Sequence, residues 1–213
     1  MEYQPSEAEQ IVAERLFAAF PASDEALKRY VDIVASRGMA WGLMGPREGD
    51  RLWQRHIANS LALVDAVPHG LDVADIGSGA GLPGIPLAIV RPDLRVTLIE
   101  SLQRRSEFLD LAIEELGLGE RVEVIRGRAE DVTEQFDIVT CRAVAPLEKL
   151  LRWTSPLFAP DGALVALKGA SAEEEIRKAS KLLKASRLQA EILELKAAPG
   201  VEGTRAIRVV AAS

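Results

Sequence analysis

The stretch Val73-Ala-Asp-Ile-Gly-Ser-Gly-Ala-Gly-Leu82 decides the fold of this chain. An apolar segment ends in an acid, and three glycines then follow at alternate positions, 77, 79 and 81. This order predicts a strand, a tight glycine turn and the first residues of a helix. Glycine is needed where the backbone adopts a positive φ or lies directly against a ligand. Because the free N–H groups of a helix N-terminus favour an anionic group, we expect a nucleotide-like cofactor at this turn.

The rest of the chain divides into a helical part and an alternating part. Before Leu71 the apolar residues recur at helical spacing, with a Ser6–Glu9 capping box at the first helix and a third helix over residues 52–67. After Leu71, strand and helix patterns alternate, which predicts a parallel sheet covered by helices on both faces. The five strands predicted in this part are residues 73–76, 95–99, 121–125, 136–140 and 163–167.

The C-terminal end has a different pattern. Two strand-like segments, residues 188–195 and 205–211, follow one another and are joined by a stretch that contains Pro199-Gly200. They predict a β-hairpin and an antiparallel edge. We therefore expect an α/β, Rossmann-like fold with a mostly parallel seven-stranded sheet, a C-terminal antiparallel hairpin and an N-terminal helical extension. The predicted units are the extension, residues 1–70, packed on a core of residues 71–213.

Composition and charge exclude several classes of protein. The 213 residues, 48% of them hydrophobic, suffice for one domain with a sizeable core. A single cysteine, Cys141, excludes an intramolecular disulfide, and with two histidines we expect no metal site. No signal peptide or membrane-spanning run is visible, so we expect a cytoplasmic protein without a membrane partner. The net charge of −6 argues against a general polyanion binder but is compatible with a local basic patch.

The spacing of the glycines distinguishes between two cofactors. A dinucleotide fingerprint, G-x-G-x-x-G, would place its third glycine at position 82, where this chain has Leu82. The pattern D-x-G-x-G-x-G, which begins at Asp75, is instead typical of methyltransferases that use S-adenosylmethionine. The loop residues that we expect to bind this cofactor are Asp75, Gly77, Ser78, Gly79, Gly81 and Leu82. The alternative is a tight turn without a ligand.

Two further acidic positions support the cofactor prediction. Glu100 ends a strand 23 residues after Gly77, where a carboxylate binds two ribose hydroxyls. After the next strand, the backbone N–H of Ala129 and the acid Glu130 are placed to bind the edge of an adenine ring. Taken alone, Glu100 is also compatible with an ordinary acid at a strand end, and Glu130 with a solvated loop.

A series of motifs resembles the family of ribosomal small subunit methyltransferase G, also called glucose-inhibited division protein B. The resemblance covers most of the chain from the third predicted helix onward, and its most specific part is Leu82-Pro-Gly-Ile-Pro-Leu87. The other motifs are Arg55-His56-Ile57, Glu100-Ser101-Leu102, Arg128-Ala129-Glu130, Cys141-Arg142-Ala143, Ala166-Leu167-Lys168-Gly169 and Gly203-Thr204-Arg205.

This resemblance implies a class I methyltransferase that transfers a methyl group from S-adenosylmethionine to N7 of a guanine in bacterial 16S ribosomal RNA. It implies contacts with the cofactor at Gly77, Leu82, Ala129, Glu130 and Arg142. The chain departs from the family's pattern at two places. Gly42-Leu43-Met44 stands where many members have Asn-Leu-Thr, and Asn59 stands where they have an acid that would orient His56.

A transfer to guanine N7 needs no general base. The sulfonium makes the methyl carbon electrophilic, and N7 offers a lone pair and has no proton to lose. Catalysis therefore rests on alignment and on a fitting electrostatic environment. We assign Arg142, at the carboxyl edge of the predicted sheet, to positioning of cofactor and substrate. A structural salt bridge is its alternative role.

Four residues are predicted to contact RNA, namely Arg55, His56, Lys168 and Arg205. Lys168 ends the fifth strand and is predicted to hold a phosphate, with an ordinary exposed lysine as the alternative. His56 is assigned from the resemblance, because a lone histidine in a helix is more often structural. We expect 16S ribosomal RNA or the small ribosomal subunit as the partner, and a monomer as the active form.

Three alternative functions remain compatible with the sequence. The same fold can methylate a small molecule or a protein, and the acidic net charge favours that alternative slightly. A nicotinamide-dependent oxidoreductase is disfavoured by the position of the third glycine and by the absence of a separate catalytic domain. A non-catalytic role in RNA binding or assembly is the third alternative.

Overall fold

Seven strands form one sheet. The computed structural model describes residues 3–38, 41–43 and 51–212. The strands are β1 (Asp72–Ile76), β2 (Arg95–Glu100), β3 (Val122–Arg126), β4 (Ile138–Arg142), β5 (Ala163–Leu167), β6 (Leu188–Leu195) and β7 (Thr204–Ala211). Their order in the sheet is β3-β2-β1-β4-β5-β7-β6. All seven predicted strands are present, each within two residues of its predicted bounds.

The C-terminal hairpin closes one edge of the sheet. β1 to β5 pair in parallel, and β7 is antiparallel to both of its neighbours, β5 and β6. The predicted fold class is therefore confirmed. β7 lies between β5 and β6 in the sheet. The edge strand is therefore β6, and its neighbour β7 is the strand that runs opposite to the other six.

Helices cover both faces of the sheet. They are α1 (Glu7–Ala19), α2 (Asp24–Arg37), α3 (Asn59–Leu61), α4 (Gly84–Val90), α5 (Gln103–Leu116), α6 (Leu147–Phe158) and α7 (Ala172–Ala185). The side chains of successive residues in a strand point to opposite faces of the sheet. Val73 accordingly packs in an apolar cluster with residues of α2, α4 and α5, whereas Ala74 packs in a second cluster with residues of α6 and α7.

The pairing register brings the carboxyl ends of the strands together. Ile76, the last residue of β1, pairs with Ile99 of β2 and with Cys141 of β4. The loops that follow these strands therefore emerge at the same edge, where open α/β sheets bind their ligands. The predicted site residues of four different strand ends meet at this edge.

The third predicted helix, residues 52–67, is not continuous. It consists of a π-helical segment, Leu52–Ala58, the short α3, and a single 3₁₀ turn, Val64–Ala66. Apolar spacing over so few residues does not distinguish a period of 3.6 from the wider π turn. π-Helical turns are frequent at functional sites, and this one carries Arg55 and His56.

Glu9 links the first helix to the π-helical segment. Its carboxylate accepts the N–H of Trp53 at 2.6 Å and that of Gln54 at 3.2 Å. Only half of the predicted capping box forms, since Ser6 Oγ accepts the N–H of Glu9 at 3.4 Å while the Glu9 side chain caps the other segment. A buried carboxylate at the N-terminus of a helical segment satisfies N–H groups that have no partner within the helix.

The extension and the strand-helix part share one apolar cluster, in which Leu27 and Val31 pack with Val73 and Phe108. The division at residue 70 stays a prediction. Within residues 3–38, 41–43 and 51–212, no helix is long and apolar enough to cross a bilayer.

Candidate functional site

The glycine run forms a loop between β1 and α4 with a backbone that favours glycine. Gly77, Gly79 and Gly81 have φ values of +66°, +57° and +93°. The loop is tied to β2, because the N–H of Gly77 donates to the carbonyl of Ile99 at 2.8 Å. A Cβ atom at Gly77 would lie 3.0 Å from Val144, whereas one at Gly79 would meet a single atom within 4 Å, at 3.9 Å. Gly79 therefore faces open space.

Asp75 lies behind this loop. Its side chain is fully buried, and Oδ2 accepts the N–H of Gly84 at 2.9 Å. Burial raises the pKa of Asp75 to about 7, against the opposing effect of the hydrogen bond from Gly84. Ser78 Oγ donates to the Asp75 carbonyl at 2.8 Å, and a side chain at Gly81 would collide with Ile85. Asp75 and Gly81 thus support the loop from within the protein and do not line the cavity that the loop borders.

Glu100 supports the loop from the end of β2. Its Oε2 accepts the N–H of Gly79 at 3.0 Å, and its Oε1 accepts the N–H of Leu102 at 2.9 Å. The side chain is buried but still lines the cavity beside the loop. Because a carboxylate has about four acceptor positions, both oxygens retain capacity for further donors such as hydroxyl groups.

Two adjoining cavities border the loop. The larger has a volume of about 490 Å³ and the smaller about 320 Å³, and both are lined by Gly77, Ser101 and Val144. Six predicted cofactor residues line the larger cavity: Gly77, Ser78, Gly79, Leu82, Glu100 and Arg142. The predicted adenine contacts, Ala129 and Glu130, line the smaller one. The structure therefore brings together residues that follow β1, β2, β3 and β4.

Arg142 and His56 lie where the larger of these two cavities meets a third cavity. Arg142 Nη1 lies 2.7 Å from His56 Nδ1 and donates to the Arg55 carbonyl at 3.3 Å. Burial, together with the Arg142 and Arg55 cations, lowers the pKa of His56 to about 3. His56 is therefore neutral at physiological pH, and Arg142 Nη1 contacts two uncharged acceptors.

The third cavity extends from this boundary toward β5. Its volume is about 640 Å³, and it shares His56, Arg142 and Val144 with the cavity beside the glycine loop. Asn59 and Arg55 line it on the side of the π-helical segment. A fourth cavity of about 890 Å³ continues from Arg55 and Asn59 to Arg205. All four predicted RNA contacts, Arg55, His56, Lys168 and Arg205, thus line a groove that leads to the predicted cofactor residues.

Lys168 lines the third cavity, but its ammonium group has partners within the protein. Its side chain is 5% exposed, and Nζ lies 2.8 Å from Glu175 Oε2 and also donates to the Ala145 carbonyl. Glu175 in turn accepts the N–H of Leu147 at 2.7 Å and the Ser171 hydroxyl at 2.8 Å. This geometry favours a role for Lys168 in supporting the loop between β4 and α6, rather than in binding a phosphate.

Arg205 is partly exposed and ion-paired. Its guanidinium lies 2.9 Å from Glu173 and 2.7 Å from Glu194. Two carboxylates offset its charge, which weakens the attraction of this residue for a phosphate. Arg55 lies exposed on the groove, and its role as an RNA contact stays a prediction.

Comparison with known proteins identifies the family. A family model described as rRNA small subunit methyltransferase G matches residues 23–204. The chain belongs to this family. The methyltransferase G of Nocardioides sp. is 50% identical over 202 residues, covering 93% of this chain and 80% of the relative. That of Mycolicibacterium smegmatis is 55% identical over 157 residues, covering 71% and 66%.

Membership in the methyltransferase G family confirms the resemblance derived from the motifs, and with it the enzyme class and the cofactor, S-adenosylmethionine. The oxidoreductase alternative is thereby set aside. The crystal structure of P. horikoshii TYW2 in complex with MeSAdo superposes with a TM-score of 0.57 at 14% identity, covering 71% of this chain and 60% of that one. At this identity the likeness concerns the fold.

Several residues of this methyltransferase G site were not predicted from the sequence. Ser101 and Val144 line both cavities beside the glycine loop, and Trp153 lines the smaller one beside Lys149. Tyr30 of α2 is fully buried, and its hydroxyl donates to the carbonyl of Ala80 in the glycine loop at 2.8 Å. The only signal for Tyr30 was its place in an apolar helical stripe, which does not indicate its partner.

Tyr30→Phe is expected to destabilise the protein and weaken cofactor binding. The change removes the hydroxyl and leaves the Ala80 carbonyl without this partner, at a cost of about 1–3 kcal/mol. The free energy of unfolding in urea and the affinity for S-adenosylhomocysteine measure the two effects. Thr154→Val, which removes a buried hydroxyl bond to Leu150 in α6, is the control and should leave the affinity unchanged. Equal affinity losses in both variants would contradict the link through Ala80.

Proposed function

We propose that the protein transfers a methyl group from S-adenosylmethionine to N7 of a guanine in 16S ribosomal RNA, as a monomer in the cytoplasm. The observation that carries this proposal is the continuity of the cleft. The cavity beside the glycine loop and the cavity beside Asn59 share His56, Arg142 and Val144. A base that enters from the groove therefore reaches the residues assigned to the cofactor.

The residues beside the glycine loop fit S-adenosylmethionine. Gly79 leaves open space where any other residue would place a Cβ, and Glu100 offers acceptors to ribose hydroxyls. Ala129 and Glu130 line the smaller cavity, which has the apolar wall of Trp153 and suits an adenine ring. The backbone of residues 77–79 would face the amino-acid part in the larger cavity.

The cofactor, when bound, supplies a methyl group activated by a sulfonium. Guanine N7 would form the new N–CH3 bond with its lone pair while the S–CH3 bond breaks and S-adenosylhomocysteine leaves. No proton is released, so the transfer needs no general base. Arg142 orients the reactants from the boundary of the two cavities. His56 is neutral and adds no positive charge beside the guanine, which becomes cationic when it is methylated. Alignment supplies most of the acceleration.

Transfer of labelled methyl groups tests the proposal. Purified protein and radiolabelled S-adenosylmethionine are incubated with small ribosomal subunits from cells that lack the enzyme, and N7-methylguanosine is mapped by chemical cleavage. We expect label at one guanine of the 16S RNA. Unlabelled subunits, alongside a positive-control enzyme that labels them, would contradict the proposal. Label in a protein or small-molecule fraction of a cell extract would favour the alternative substrate class.

A further inference from the structure

His56 carries a buried nitrogen that nothing in the described part of the chain satisfies. Its Nε2 atom is shielded from solvent and has no hydrogen-bond partner there. The residue as a whole is 3% exposed. Leaving such a group unpaired costs about 1–3 kcal/mol, and native structures contain few of them. His56 is also a lining residue of the ligand cleft, so its unpaired nitrogen suggests a partner that arrives with the substrate.

The contact with Arg142 determines which hydrogen His56 offers. A guanidinium has donors and no acceptor, so Nδ1, 2.7 Å from Arg142 Nη1, accepts the hydrogen bond. Because the imidazole is neutral, its single proton must then be on Nε2. The atom without a partner is therefore an N–H donor that requires an acceptor.

The position of the ring indicates what that acceptor is. His56 lines both the cavity beside the glycine loop and the cavity through which a base would enter. The edge of guanine that contains N7 also presents O6, a second acceptor, whereas adenine presents an N6 amino donor at the same place. We infer that the Nε2–H group of His56 donates to O6 of the target guanine. The inference rests on the proposed function.

This bond would make His56 a specificity-determining residue. It holds the guanine by the acceptor next to N7 and so directs N7 toward the methyl donor. An adenine in the same place brings its own N–H against that of His56, leaving both donors unpaired. A site built to bind a polar group discriminates strongly against a substrate that lacks it.

Single-atom changes in the substrate test the inference. Small subunits are reconstituted with 16S RNA that carries guanine, inosine or 2-aminopurine at the methylated position. Inosine keeps N7 and O6, whereas 2-aminopurine keeps N7 and lacks O6. We expect His56→Ala to lower kcat/KM about 10- to 100-fold on guanine and inosine and less than about twofold on 2-aminopurine. Folding and cofactor affinity are common to the three substrates and cancel in this comparison.

Two further variants separate base recognition from structural effects. His56→Gln retains both an acceptor for Arg142 and an amide donor, so it should recover part of the activity on guanine and inosine but not on 2-aminopurine. Asn59→Ala, on the adjoining segment, should affect the three substrates by the same factor. An equal loss for His56→Ala on all three bases would overturn the inference. Wild-type labelling of guanine in the same experiment tests the proposed function separately.

Discussion

Gly79→Val is expected to weaken the binding of S-adenosylmethionine at least about 100-fold, a loss of about 2.7 kcal/mol. A Cβ at Gly79 would enter open space, and because Gly79 lines the cavity beside the loop, we expect the branched side chain to occupy the volume assigned to the cofactor. The φ of +57° adds backbone strain of about 1–3 kcal/mol, because a β-branched residue rarely adopts it. Calorimetric titration with S-adenosylhomocysteine measures the affinity.

Gly117→Val is the matched control for this prediction. Gly117 has a φ of +66° and follows the last residue of α5, and it lines neither of the two cavities beside the glycine loop. A Cβ added there would have no atom within 4 Å, which resembles Gly79, where the single neighbour lies at 3.9 Å. The two variants should therefore lose similar free energies of unfolding, and only Gly79→Val should lose affinity by more than about twofold. Equal affinities, or equal losses of affinity, would show that Gly79 does not border the cofactor.

The sequence predicted the sheet, and it predicted which residues meet beside the glycine loop, because both depend on local patterns. Each parallel strand is a short apolar run, and the glycine spacing fixes where the chain turns toward its ligand. Once parallel strands are aligned, the residues at their carboxyl ends must meet. Gly77, Glu100 and Ala129 accordingly line the two adjoining cavities.

The features that the sequence did not predict depend on partners far along the chain. The Glu9 carboxylate caps a segment 44 residues later, and Tyr30 binds a carbonyl 50 residues later. The spacing of apolar residues does not distinguish the π-helical turn that carries His56 from an α-helix. For Lys168 the sequence offered a phosphate contact or an exposed lysine, because no local pattern reveals that α7 places Glu175 against it.

Lys168→Met is expected to lower the free energy of unfolding by about 1.5–3 kcal/mol, the range for hydrogen bonds to charged groups, because the Lys168 side chain is buried whereas Glu175 is partly exposed. The change leaves the Glu175 carboxylate, 17% exposed, without its cation. Burial alone would raise the pKa of Glu175, and the hydrogen bonds from Lys168, Ser171 and Leu147 outweigh it and lower that pKa. Urea unfolding of the protein without RNA or cofactor measures the loss.

The same experiment distinguishes the structural role of Lys168 from the predicted contact with a phosphate. Lys168→Met/Glu175→Leu removes both charges and should recover part of the lost stability. Arg205→Met removes a partly exposed guanidinium from two exposed carboxylates and should cost no more than about 1 kcal/mol. If Lys168 instead served only to hold a phosphate, Lys168→Met would leave the stability of the free protein unchanged and reduce the salt dependence of RNA binding. Because Lys168 and Glu175 hold Ala145 and Leu147, which flank the loop after Arg142, the geometry favours the first outcome.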